Sequence, residues 1–132
     1  MKRLAIDVRP GEYSVARLDA TEPVPAGLFD TDTDALVSVT RSRDEISVIC
    51  PTGTPLSDGA RTEGGWRLLT VRGPLEFTLT GVIAALSSEL ASAGVPLFSL
   101  STFDTDHLLV KQADLARAVD ALRLSGHEVY GG

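Results

Sequence analysis

The chain has 132 residues, 43% apolar and 23% charged, with a formal net charge of −6. That length holds one domain or two very small ones, the acidic balance excludes the basic footprint that nucleic-acid phosphates demand, and no apolar run approaches the roughly 20 residues of a membrane span. A single cysteine, Cys50, excludes an internal disulfide and fits a reducing cytoplasm, while Asp7 and Arg9 interrupt any signal-peptide core behind Lys2-Arg3.

Taken in order, Leu4 to Val8 reads as a strand closed by Arg9-Pro10-Gly11, and EYSVARLD as a second. The Pro-rich TEPVPAGLFD leaves room for a turn or two of helix after Pro25. Leu36 to Thr40 and Ile46 to Cys50 are β-rich runs around the charged bend RSRDE, and Pro51 to Gly59 holds enough breakers to read as loop and linker. Trp66 to Val71 is an apolar run between Gly64-Gly65 and Gly73-Pro74, the punctuation of a short strand. Leu79, Val82, Ile83, Leu86, Leu90 and Ala93 then recur at helical spacing until Gly94 and Pro96 stop them. Leu97 to Ser101 and Leu108 to Lys111 are two strands about the polar bend Thr102 to His107. Asp114 is expected to cap a helix with Leu115, Ala118, Val119 and Leu122 on one face, and His127 to Tyr130 closes the chain as a short strand.

Two stretches align without a gap: LVSVTRSRDEISVICP (Leu36 to Pro51) and LFSLSTFDTDHLLVKQ (Leu97 to Gln112). Leu36/Leu97 and Ser38/Ser99 are identical, and Glu45/Asp106 and Val48/Leu109 are chemically similar; upstream, EYSVARL matches GWRLLTV. The pattern points to an internal duplication. The second half alone has the order β-α-β-β-α-β, the ferredoxin-like plan. The expected fold is therefore α+β, with tandem ferredoxin-like modules whose antiparallel sheets carry helices on one face. Residues 1–62 form a degenerate first module with a short first helix and no second; residues 63–132 form a complete one.

Most chemical candidates have plainer explanations. Asp30, Asp32 and Asp34 open like a calcium loop, but the glycine and glutamate it needs at its sixth and twelfth positions are Ala35 and Arg41. Ser101, Asp104, Asp106 and His107 carry the ingredients of nucleophilic catalysis, yet neighbours in one hairpin alternate between faces and no G-x-S-x-G elbow is present. His107 and His127 have no partner at metal-ligand spacing, and no cofactor motif occurs. The helix entrance is more suggestive. Thr78, Leu79, Thr80 and Gly81 open a helix whose first N–H groups have no intrahelical partner, a place for a carboxylate; the alternative is that Thr78 or Thr80 simply caps it.

The stretch WRLLTVRGPLEFTLTGVIAALSSELASAGVPLFSLSTFDTDHLLVK resembles the ACT-domain family, and within it the CASTOR-type subgroup of amino-acid sensors. The resemblance rests on the glycines Gly73 and Gly81, on AGVPLFSLSTF and on STFDTDHLLV. It implies a non-catalytic regulatory protein that holds a small ligand, usually an amino acid, at a module or subunit interface and passes the effect to an enzyme or partner. A homodimer formed through Val95 to Ser101 or through the helix Thr80 to Ala93 is expected, because a sheet edge left free beside so apolar a strand invites aggregation. The implied site combines Thr78, Leu79, Thr80, Gly81, Thr102, Phe103 and Asp106 with Val95, Pro96 and Leu97 from a neighbouring module. Leu79 stands where arginine sensors of this type have an acidic residue, so a guanidinium lacks its partner there. A ligand-free assembly module is the alternative the same family offers.

Overall fold

The computed structural model describes residues 3–30, 34–73 and 81–131. The chain divides into two units, Gly11–Trp66 and Met1–Pro10 with Arg67–Gly132.

Within Gly11–Trp66 lie β2 (Tyr13–Leu18), β3 (Ser38–Arg41), β4 (Ile46–Pro51) and the first half of β5 (Arg61–Val71). They pair antiparallel in the order β3-β4-β2-β5. Alternation along the strands sends Ala16 and Leu18 of β2 and Ile46, Val48 and Cys50 of β4 into one buried cluster. No helix covers that face among the described residues. Leu28, 2% exposed, plugs it from a loop, with Val37, Leu56 and Ala60 packed alongside. The short helix expected after Pro25 is a hydrogen-bonded turn at residues 26–29, closed by Asp30 N–H donating to Gly27 O at 3.0 Å. Pro23 and Pro25 withhold donors, and Gly27 at φ 78° lies in the left-handed region, so no α-helix propagates.

The other unit holds β1 (Ala5–Val8), the rest of β5, α1 (Val82–Ser92), β6 (Leu97–Ser101), β7 (Asp106–Lys111), α2 (Leu115–Leu124) and β8 (Glu128–Tyr130). The strand order is β6-β7-β5-β1-β8. From β5 to β8 this is the complete β-α-β-β-α-β series, with β1 inserted between its first and last strands. The inserted strand runs antiparallel to β5 and parallel to β8. The first strand, grouped by sequence with residues 1–62, thus packs in the unit of residues 67–132. Its Leu4, Ile6 and Val8 join Leu69, Val71, Leu108, Val110 and Val129 on a face covered by Val82, Leu86 and Leu90 of α1 and Leu115, Ala118, Val119 and Leu122 of α2. Burying each such leucine contributes about 1.5–3 kcal/mol. His127, 5% exposed, fastens the start of β1. Its Nδ1 accepts Leu4 N–H at 3.1 Å, so Nε2 carries the proton that faces Glu89 Oε1 at 2.9 Å.

Three sequence expectations shift in detail. β5 begins at Arg61 rather than Trp66 and runs through the expected 62/63 boundary. Its glycines do not stop it, because Gly65 at φ 80° sits where the pairing with β2 slips register, as at a β-bulge. Asp114 occupies the N-cap position of α2 without a capping hydrogen bond; its carboxylate takes Arg117 at 2.5 Å instead. The repeat holds, but one residue out of the gapless register. Ser42 N–H donates to Glu45 O at 2.9 Å as Thr102 N–H donates to Thr105 O at 2.8 Å, an offset of 60 rather than 61. Offset 60 also matches the core-facing Val48 and Cys50 to the core-facing Leu108 and Val110. A one-residue slip would turn one hairpin inside out.

Candidate functional site

The β6–β7 bend is the best-defined polar feature of its unit. Ser101 pairs with Asp106 across the two strands, and its hydroxyl donates to Asp106 Oδ1 at 2.5 Å. The Thr102 hydroxyl donates to Thr105 O at 3.2 Å and accepts Thr105 N–H at 3.4 Å, which closes the turn from both sides. Phe103 stands 79% exposed at its tip and Asp104 is exposed beside it. The Thr105 hydroxyl donates to Val71 O at 2.5 Å, tying the turn to the end of β5. Val71 is two residues before Gly73, so the bend lies beside the start of the chain's path toward α1.

At the far end of that path Gly81 is the N-cap of α1, at φ 82° and ψ 4°. Its carbonyl accepts Ala85 N–H at 2.9 Å, and the first helical turn contains no acidic residue. Nothing among the described residues lies within 4 Å of a Cβ built on Gly81, which leaves the backbone approachable. Thr78, Leu79 and Thr80 lie outside the described residues.

Val95, Pro96 and Leu97 sit elsewhere. Val95 is a core residue at 2% exposure, its N–H donating to Leu90 O at 2.9 Å as α1 ends; Pro96 is exposed and Leu97 half-buried. Leu97 pairs with Val110, the opposite end of the hairpin from Ser101 and Asp106. An 11-residue helix, about 16 Å long, separates Gly81 from Val95. One chain therefore brings Thr102, Phe103 and Asp106 together and leaves Val95, Pro96 and Leu97 apart from them.

Sequence reasoning missed a hollow of ≈ 480 Å³ lined by Asp7, Arg9, Thr70, Val71, Arg72, Gly73, Asp104 and Thr105. Asp7 and Arg72, 65 residues apart, form a bidentate pair with both contacts at 2.8 Å. The Arg72 hydrogen bond holds the Asp7 carboxyl below its ordinary range. Arg72 also lies 4.3 Å over the Tyr130 ring, whose hydroxyl bonds Glu128. The local signal was weak: a lone arginine before Gly73-Pro74. Behind this wall His107 Nδ1 lies 3.0 Å from Thr70 Oγ1, and burial pushes its pKa down despite the opposing Asp106 charge.

The arrangement does not assemble a catalytic triad. Ser101 spends its proton on Asp106, and His107 faces Thr70 rather than Ser101. Among the described residues no three His, Cys, Asp or Glu side chains converge as metal ligands, and no helix is long and apolar enough to cross a membrane. Cys50, 1% exposed, has its thiol pKa raised by burial.

Residues 61–123 match the family model of the ACT domain, and residues 11–54 match a second model, of an N-terminal domain. A stretch of 59 residues, 44% of the chain, is 34% identical to the cytosolic arginine sensor for mTORC1 subunit 1 of Rattus norvegicus; that match spans 18% of the relative's length. Among solved structures, protein Atu0741 of Agobacterium tumefaciens superposes with a TM-score of 0.86 at 35% identity, over 98% of this chain and 94% of that one. Aspartate kinase from Synechocystis gives a TM-score of 0.66 at 17% identity, over 97% of this chain and 28% of the enzyme, a likeness of fold.

Proposed function

Because the chain belongs to the ACT-domain family, we propose that it is a non-catalytic regulatory protein that binds a free α-amino acid. The observation that supports this is the Thr105–Val71 bond, which ties the bend to the end of β5, the strand that precedes α1 in the chain. The ligand's carboxylate is assigned to the helix entrance expected from the sequence at Thr78, Leu79, Thr80 and Gly81, since the first N–H groups of a helix and the positive end of its dipole favour an anion. Its ammonium meets the bend, at Thr102, Phe103 and the carboxylates nearby. The arginine sensor among the relatives supports the ligand class; Leu79 argues for an amino acid other than arginine. Cytosolic location is proposed from the same relative and from the buried lone thiol.

The exposed Pro96 and half-buried Leu97, anchored by the core residue Val95, complete the site from a second copy of the chain. Among the described residues β6 pairs with β7 alone, and its Phe98 is 43% exposed, so the strand offers an edge for a homodimer. Light scattering is expected to give a dimer at micromolar concentration; a monomer throughout would remove the second copy from the site. A separate regulated enzyme or protein is the recipient of the signal. Affinity is expected between about micromolar and millimolar, roughly −8 to −4 kcal/mol, with coupling to the partner of roughly 1–3 kcal/mol.

Calorimetry against the twenty amino acids tests the proposal. Asp106→Asn, which keeps the shape and removes the charge, is expected to weaken binding of the best ligand while the protein stays folded. If no amino acid binds, the ligand-free assembly role of the same fold takes its place.

A further inference from the structure

The strand order β6-β7-β5-β1-β8 leaves two outer strands, β6 and β8. An outer strand presents a row of backbone N–H and C=O groups on which a strand of another molecule can build. The two strands are not equally open. Glu128 N–H donates to Leu4 O at 2.9 Å in the parallel pairing of β8 with β1. Alternation then turns the backbone of Glu128 and Tyr130 toward β1 and that of Val129 away from it. Val129 O is therefore the carbonyl that β8 presents on its outer side, and it is occupied. The Arg123 guanidinium, in the last turn of α2, donates to it through Nη2 at 2.8 Å. The same helix end takes the preceding outward donor, His127 N–H, on Leu122 O at 3.1 Å. β6 has no such cover. Thr102 N–H donates to Thr105 O, so alternation from the turn sends the backbone of Ser99 and Leu97 outward. Among the described residues no side chain takes those groups, and the strand, LFSLS, carries no charge.

Without its cover β8 would present more than a carbonyl. A hollow of ≈ 340 Å³ lies against Val119, Asp120, Arg123 and Gly131, which gives an incoming strand room. Leu124, 88% exposed, follows Arg123 on the helix, and Tyr130, 41% exposed, stands on the strand, so apolar surface adjoins the edge. We propose that Arg123 guards β8 against pairing with a second copy of this chain and so restricts self-association to β6. The need for a guard is geometric. A molecule with two open edges can join head to tail, β6 on β8, and such contacts build an open row of molecules rather than a closed pair. The copy excluded from β8 is one of this same chain because β6, uncharged and uncovered at Leu97 and Ser99, is the strand free to reach it. The inference concerns the edge that the homodimer above leaves over, and it is independent of any ligand.

The test compares the full chain with Arg123→Met by light scattering at equal concentration, with amide exchange read at Val129. Methionine keeps the apolar stem and removes every donor. Arg123 is exposed at the end of α2 and methionine is a good helix former, so the fold is retained; Arg123→Gln carries the same expectation should circular dichroism show otherwise. Arg123→Met is expected to give a species about twofold or more heavier than the unsubstituted chain. Val129 N–H, which faces outward, is expected to become protected in that species. Arg123→Lys keeps the charge and a donor, and its size should not change. Arg117→Met removes a positive charge from the same helix, one that pairs with Asp114 instead of backbone, and its size should not change either. A guard variant no heavier than the unsubstituted chain overturns the proposal. So does a heavier species whose Val129 N–H exchanges as fast as before, because another surface then joins the copies. Equal growth in Arg117→Met overturns it too, by assigning the effect to lost charge.

Discussion

The two units solve one folding problem in different ways. Each has a hairpin closed by the same hydroxyl-bearing turn, Ser42 to Glu45 in one and Thr102 to Thr105 in the other. Each pairs that hairpin with the strand that precedes it in sequence, β4 on β2 and β7 on β5. In the unit of residues 67–132 the apolar face lies under two helices; in Gly11–Trp66 it lies under loops, with Leu28 as the plug. The turns differ in a way that matters for function. The Arg17 guanidinium donates to Asp44 O at 2.9 Å, and Asp19 binds both the N–H and the hydroxyl of Thr21 at 3.0 Å, so the end of β2 is closed on its own polar groups. The end of β5 instead leads toward a helix whose first turn carries no acidic side chain. A duplicated plan thus keeps its strand scaffold in the unit that has no helix among its described residues, and the proposed anion entrance belongs to the helix-bearing unit.

The largest effect that sharpens this contrast is on core packing. Leu90 is fully buried on the sheet-facing side of α1, and Leu90→Ala should cost about 3–5 kcal/mol because two helices on a sheet collapse poorly around a cavity. Leu28→Ala in the loop-covered cluster should cost nearer about 2 kcal/mol, since the loop can settle into the space. Urea unfolding measures both; equal losses would mean that the loop cover is as rigid as the helical one.

Next is the effect of pH. Burial lowers the His107 pKa below its ordinary value near 6.5, so the unfolded chain binds a proton that the folded one resists. Its contribution to stability is therefore complete above about 6.5 and is lost as pH falls below that value. His107→Gln should flatten the fall in melting temperature between pH 7 and pH 5, and an unaltered slope would assign the fall to other groups. Smallest are the turn hydroxyls: Ser42→Ala and Thr102→Ala should each cost about 0.5–1 kcal/mol. Similar losses confirm one turn used twice, and a loss confined to one hairpin breaks the equivalence.

Much of this was legible in the sequence where the physics is local. Val82, Leu86 and Leu90 announce α1 by their spacing, and the two hairpins by alternation about polar bends. Thr102 and Phe103 fall in the bend expected of them, while Asp106 opens β7, which starts two residues before the expected Leu108. What escaped was non-local or conformational. Gly64-Gly65 looks like a strand terminator until the pairing slip with β2 gives Gly65 its positive φ. The place of β1 is fixed by β8 and by His127, more than 120 residues downstream, which no window along the chain contains. The 60-residue repeat offset escaped because adjacent strand residues alternate faces, and a gapless match of apolar types tolerates the slip. Asp7 and Arg72 are ordinary surface charges until β1 and β5 pair.

The central claim is that ligand binding belongs to one of the two repeated turns. Hydrogen–deuterium exchange, with and without the amino acid that binds best, addresses it directly. Added protection should concentrate in Thr102 to Asp106 and the first turn of α1, with Ser42 to Glu45 unchanged. Equal protection of both turns, or protection confined to Ser42 to Glu45, would contradict it.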